Sequence, residues 1–253
     1  MKKSIKICSA VIVIVLLACS LMACGKSGST GGNQGSAANE ATTVEKKASN
    51  SEGYEITASK VDVWTNSIGS TWFQALVEVT NTGDVDLYIG SSSLDVETED
   101  GTLVASESMV STFPDILKPG EKAFILESTT NDAMDPNVPY VVKPHLTIKK
   151  SKNDCIRYDV TDVSFSNDTF SGVRGLGKVT NNTDETASSV CVAINLYDAA
   201  GAPLGSVFTY LTNDLVAGDS MGFDAGTLAL PPNVTAESIG SYAAYAYPMQ
   251  FQF

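Results

Sequence analysis

The chain has 253 residues, of which 43% are apolar, and it carries 16 Lys and Arg against 29 Asp and Glu, a formal charge of −13 at pH 7. Such an acidic surface makes nucleic acid and anionic lipid headgroups poor partners. One histidine and five cysteines, with no ligand spacing among them, give no reading for a metal site.

At the start of the chain Lys2, Lys3 and Lys6 precede an apolar run that ends in Leu21-Met22-Ala23-Cys24. The stretch Ile7 to Ala23 falls short of the roughly 20 apolar residues a membrane span needs. Ser9 and Ser20 also interrupt it, so residues 1–23 read as an export signal. The tetrapeptide Leu21, Met22, Ala23, Cys24 resembles the lipobox of bacterial lipoproteins. That resemblance implies cleavage before Cys24, a thioether-linked diacylglycerol on its sulfur, and a location at the extracytoplasmic face of the cell membrane. One acyl chain holds a protein to a bilayer only marginally, whereas two or more anchor it stably. With the leader gone, 16 basic residues less 3 leaves 13 against 29 acidic ones, so the mature chain carries a charge near −16.

Residues 24–53 change character. Gly, Ser, Thr, Asn and Ala dominate from Gly25 to Glu52, with Val44 isolated and no aromatic residue. Such a composition cannot bury a core and reads as a disordered tether. About 30 residues of it span roughly 30 Å end to end, enough to lift a folded part clear of the headgroups.

Residues 54–150 and 151–253 read as two tandem domains, because Val79-Thr80-Asn81-Thr82-Gly83-Asp84 recurs one hundred residues later as Val179-Thr180-Asn181-Asn182-Thr183-Asp184. Each copy is followed by an alternating strand and a turn, Asp100-Gly101 or Ala200-Gly201. Further on comes Lys118-Pro119-Gly120-Glu121 or Ala217-Gly218-Asp219.

Inside each copy the apolar period is 2. Phe73, Ala75, Val77 and Val79 alternate with Gln74, Leu76, Glu78 and Thr80, and Val190, Val192, Ile194 and Leu196 form the matching run. These are expected to be half-buried strands. The chain closes on Tyr245, Tyr247, Met249, Phe251 and Phe253 alternating with Ala and Gln, and Pro144 and Pro248 place the last strand of each domain at an edge or a bulge. The expected fold is all-β: two immunoglobulin-like antiparallel β-sandwiches after a signal peptide and a tether.

The second domain carries Gly177-Lys178-Val179-Thr180-Asn181-Asn182-Thr183, then Ile194-Asn195-Leu196-Tyr197-Asp198 and Gly201, then Ala217-Gly218-Asp219. Over residues 160 to 225 this resembles the FxLYD domain of bacterial lipoproteins, with Ile194 in place of the leading Phe. The first domain resembles related modules more loosely, Leu94-Asp95-Val96-Glu97 standing where the signature would be. The resemblance implies fold and location and supplies no active-site residues.

Of the cysteines, Cys155 and Cys191 remain in the folded part, and both fall out of phase with their apolar neighbours. They face solvent on adjacent strands and form a disulfide, or they stay unpaired; export permits the bridge. Asp95, Glu97, Glu99 and Asp100 could attract Ca²⁺ through oxygen ligands, but a solvated strand face is the better reading. His145 has no nucleophile placed beside it by any motif. Gly172, Gly175 and Gly177 lead into a strand, which gives no phosphate cradle, and read as strand bends.

Trp64 and Trp72 fall out of phase with the inward residues of their strands, and with Tyr88 they form the candidate contact surface. A place at the sandwich end or the domain junction is their simpler role. The expected function is a non-catalytic interaction or scaffold module without cofactors, anchored to the bilayer through Cys24. Its partner is another envelope protein or, in the alternative, a cell-wall glycan or small solute that it captures.

Overall fold

The computed structural model describes residues 53–169, 172–227 and 229–249. The leader, the lipobox with Cys24, the tether up to Glu52, Phe251 and Phe253 lie outside the described residues. The first lobe contains β1 (Tyr54–Thr65), β2 (Thr71–Asn81), β3 (Leu87–Ile89), β4 (Ser93–Thr98), β5 (Leu103–Glu107), β6 (Ser111–Phe113), β7 (Ile116–Leu117), β8 (Lys122–Thr130), β9 (Tyr140–His145) and β10 (Ile148–Lys150). The second contains β11 (Asp159–Asp168), β12 (Gly172–Thr180), β13 (Val190–Tyr197), β14 (Pro203–Tyr210), β15 (Ser220–Ala225) and β16 (Ser241–Pro248), with a short 3₁₀ turn at Ala236–Ser238.

The fold is all-β, and every named strand pairing is antiparallel. In the first lobe a four-stranded sheet, β1-β2-β8-β6, faces two three-stranded sheets, β10-β3-β7 and β5-β4-β9. In the second, β11-β12-β15 faces β14-β13-β16. None of these sheets mixes strands from the two lobes. Pro144 and Pro248 sit in β9 and β16, both sheet edges, where a missing N–H costs no ladder bond.

The alternation read from the sequence builds each core. Phe73, Ala75, Val77 and Val79 of β2 pack with Ile125 of β8 against Leu94 and Val96 of β4 and Leu87 and Ile89 of β3. Val190, Val192, Ile194 and Leu196 of β13 pack against Val173 and Val179 of β12 and Phe223 of β15. Of the glycines at the start of β12, Gly172 adopts φ 79° where the chain enters the strand, as a bend requires, whereas Gly175 and Gly177 have a packing role. A Cβ at Gly177 would stand 2.5 Å from the Phe223 ring, and one at Gly175 would stand 2.9 Å from Ile194 Cδ1.

The repeat is one hydrogen-bond device used twice. Asn81 Nδ2 donates to the carbonyls of Val85 (2.8 Å) and Leu117 (3.0 Å), and its Oδ1 accepts from Gly83 N at 3.0 Å. Asn181 Nδ2 donates to Glu185 (2.8 Å) and Leu215 (2.9 Å), and its Oδ1 accepts from Thr183 N at 3.0 Å. The later glycines close each motif: Gly120 N donates to Asn81 O and Gly218 N to Asn181 O, both at 2.9 Å. Both glycines adopt positive φ, 81° and 76°, which suits a residue without Cβ.

The expectation of half-buried strands fails for β2 and β13, which are buried on both faces. The second face of each belongs to a third core, where Leu76, Phe113, Phe124 and Leu126 of the first lobe meet Cys191, Ala193, Tyr197 and Tyr247 of the second. Phe113 and Phe208 rings lie 4.6 Å apart, and Phe124 meets Tyr197 edge-on at 5.1 Å. Both lobes fall in one compact unit, as sheet-on-sheet packing requires.

Three polar side chains make hydrogen bonds across this interface, while Gln74 Oε1, Glu78 Oε2 and the Tyr197 hydroxyl are buried without a hydrogen-bond partner. Gln74 Nε2 donates to Leu204 O (3.0 Å), Asn195 Nδ2 to Phe113 O (2.9 Å) and Ser128 Oγ to Ala229 O (3.0 Å). Buried Glu78 accepts from Lys122 Nζ at 2.8 Å. The connecting segment is pinned as well, since Arg157 pairs with Glu121 Oε2 at 2.7 Å, donates to Ile116 O, and lies 5.5 Å over the Tyr245 and Tyr247 rings. The resemblance signature divides between these two tasks. Ile194 and Leu196 fill the lobe core, Asn195 and Tyr197 face the other lobe, and Asp198 Oδ1 accepts from Ala200 N and Ala202 N to close the turn.

Candidate functional site

Where the lobes diverge from this shared core they leave a cleft of about 320 Å³. β6 and the residue Asp115 that follows it form one wall, and Cys191 of β13, Tyr210 of β14 and Tyr247 of β16 form the other. Tyr88 of β3 also lines it. Its floor is buried, formed by Phe113, Cys191 and Tyr247, while Tyr210 and Met249 are 47% and 40% exposed. A concave site with aromatic walls and a few polar groups, here Ser111, Thr112, Asp115 and the tyrosine hydroxyls, is the usual form of a small-ligand pocket.

Asp115 supplies the one carboxyl of this lining. Burial pushes its carboxyl above the ordinary range, against the pull of its own and the Ile116 backbone N–H groups and of the Arg157 charge. Its negative charge in turn helps raise Cys191, Tyr210 and Tyr247, although burial is the first cause for each. The Cys191 thiol is pushed up to about 12, the Tyr247 hydroxyl offsetting part of the shift, so it is not a nucleophile at neutral pH.

A carboxyl whose folded pKa lies above its unfolded one stabilises the fold only when protonated. That contribution is complete below the unfolded pKa and is lost as pH rises through the folded one. Asp115→Asn is therefore expected to raise the thermal midpoint at pH 7 and to leave it unchanged at pH 3. Paired thermal scans decide this, and a lower midpoint at pH 7 would instead make the carboxylate a net contributor to stability.

The candidate contact surface separates. Trp64 and Trp72 are register partners at the end of the β1–β2 hairpin, half-buried and stacked with centroids 6.4 Å apart, beside the exposed Ile68. Tyr88 stands in another sheet, at the cleft, with Lys149 Nζ 5.4 Å over its ring. No disulfide joins Cys155 to Cys191, since both are free thiols. Cys191 is buried in the interface, where a solvent-facing position was one of the two readings, because the outward face of β13 meets the other lobe. Cys155, half-buried at Ile116 O (3.8 Å), has a thiol raised to about 11 by burial.

His145 Nε2 and Asp95 Oδ2 lie 2.9 Å apart on the exposed side of β4 and β9. The Asp95 carboxyl is held below its usual value by the Ser106 hydroxyl first and His145 second. Among the described residues no group of three or more His, Cys, Asp or Glu is placed to hold a metal ion. Likewise no helix there is long and apolar enough to cross a membrane.

Asp115, Tyr210 and Tyr247 are the cleft residues that sequence reasoning missed. Tyr247 stands in an alternating apolar run that looks like a core face, yet Ala244 and Ala246 supply the lobe core while the tyrosines point to the partner lobe. The available signal was the size mismatch, alanines on one face and tyrosines on the other. No protein-family model matches the chain, and no curated protein matches it either.

Proposed function

We propose that the chain is a lipid-anchored, non-catalytic interaction or scaffold module at the extracytoplasmic face of a membrane. Cys24 is its attachment point and an envelope protein its partner. The observation that carries the reading is the fusion of two β lobes through a buried third core, with hydrogen bonds across it. Such a block presents fixed surfaces from a tether. The lipobox resemblance at Leu21 to Cys24 and the FxLYD resemblance around Ile194 to Asp198, with the immunoglobulin-like form it implies, support the same role. In-cell crosslinking of the full chain beside Cys24→Ala, with membrane fractionation, tests it. The full chain is expected in the membrane fraction with a specific crosslinked envelope protein, and Cys24→Ala in the soluble fraction without it. Cys24→Ala that stays with the membrane would refute the anchor.

A second reading, capture of a small solute or cell-wall glycan, is favoured by the cleft at Asp115. Its aromatic lining and single carboxyl meet the requirement for such a site.

A further inference from the structure

The charge balance of the inter-lobe cleft points to one class of solute. Asp115 is part-buried and belongs to none of the ion pairs found among the described residues. The cation that acts on it, Arg157, is already engaged by Glu121 Oε2 and the Ile116 carbonyl and lies over two tyrosine rings. Lys149 sits over Tyr88, another ring of the cleft. A carboxylate drawn out of water without a close counter-ion carries a desolvation cost that a cation entering from solvent offsets.

The walls suit the same visitor. Tyr88, Phe113, Tyr210 and Tyr247 all line the space, and aromatic faces attract ammonium groups, most strongly where water is excluded. The lysine already stationed at Tyr88 and the arginine at Tyr247 are examples of that attraction within this molecule. At about 320 Å³ the cleft is at the small end of ligand sites. A single small molecule fills it and a polymer does not.

We infer that the cleft between the lobes binds a small organic cation, a primary or quaternary ammonium compound, with Asp115 as its counter-ion and the four rings as its walls. This rests on the solute-capture reading above. The protein's net charge of −13 draws cations toward the surface, and the cleft gives one of them a fitted place.

Isothermal titration of the full chain with choline, and with 3,3-dimethylbutan-1-ol, its uncharged isostere of nearly the same shape, decides the matter. Choline is expected to bind about tenfold more tightly than the isostere, the scale of a desolvated cation–π and ion-pair contribution. Asp115→Asn is expected to abolish that preference, and Tyr210→Ala, at an exposed position, to weaken choline several-fold while the chain stays folded. Equal binding of the two, or an unchanged preference in Asp115→Asn, overturns the inference. If Asp115→Asn does not fold, the choline-to-isostere ratio of the unaltered chain and the Tyr210→Ala result decide it. Binding of an N-acetylglucosamine disaccharide in place of either probe sinks the cation and leaves solute capture standing. Failure of all three removes both.

Discussion

Phe124→Ala is expected to destabilise both lobes together, by about 3–5 kcal/mol, the usual cost of emptying a buried aromatic site. Phe124 is fully buried, but on the face of β8 away from the first lobe's own core, where its ring meets Tyr197 of the second lobe edge-on at 5.1 Å. Were the lobes independent, the substitution would remove a surface side chain and cost little. In the fused block it opens a void between two sheets whose backbones are held by their own ladders and cannot collapse into it. Urea unfolding followed at two signals reads the result. Trp64 and Trp72 report the first lobe alone, since the second has no tryptophan, and far-ultraviolet circular dichroism reports both. Coincident transitions that shift together in Phe124→Ala are the expected outcome. A tryptophan transition that separates from the dichroism in the unaltered chain, or a loss under about 1 kcal/mol in the variant, overturns the shared core.

The period of 2 and the turn glycines made the all-β class legible, because a strand with one face in a core must alternate and a tight turn needs a residue free at positive φ. Phe73 to Val79 and Val190 to Leu196 sit in their cores as the alternation requires. The same reasoning misplaced the opposite faces. Leu76 stands between Gln74 and Glu78, a mixture that reads as solvated, and yet all three are buried, Gln74 and Glu78 being tolerated because Leu204 O and Lys122 meet them. Burial of a polar side chain depends on a partner brought by a distant strand, Lys122 from the neighbouring β8 and Leu204 from the other lobe, and that partner is not written nearby in the sequence.

The candidate site was hidden for the same reason. Asp115 follows Phe113 and Pro114 in a segment without periodicity, Tyr210 ends β14, and Tyr247 lies in β16, more than 130 residues from Asp115 in the numbering. Each was ordinary alone, and only the docking of the lobes brings them to one cleft. The tryptophans stood out by rarity, yet the structure pairs them with each other. Tyr88, chosen with them, proved to belong to the cleft.

Asn181→Asp is expected to be the most damaging conservative change in the second lobe, and Asn81→Asp its equal in the first. Asn181 is fully buried, and its amide nitrogen donates to two carbonyls 2.8 and 2.9 Å away. Alanine in its place removes a donor from each carbonyl, leaving Leu215 O with Ala187 N and Glu185 O with the Thr183 hydroxyl, and strips the Thr183 N–H of its acceptor, at about 1–3 kcal/mol for a group water cannot reach. Aspartate does worse at neutral pH, because it points an anion at two carbonyl oxygens where a donor stood, a loss above about 4 kcal/mol. The sign with pH is fixed by that geometry. The new carboxyl has a folded pKa above its unfolded value, so the fold is favoured while it is protonated and loses stability as pH rises through the folded pKa. Urea midpoints at pH 4.5 and pH 8, each read against the unaltered chain, are expected to show a larger deficit at pH 8 for the aspartate variants and an equal deficit at both for the alanine ones. Matching losses at Asn81 and Asn181 follow from their matching bonds. A loss at one position alone would mean that the repeated motif is held by different groups in the two lobes.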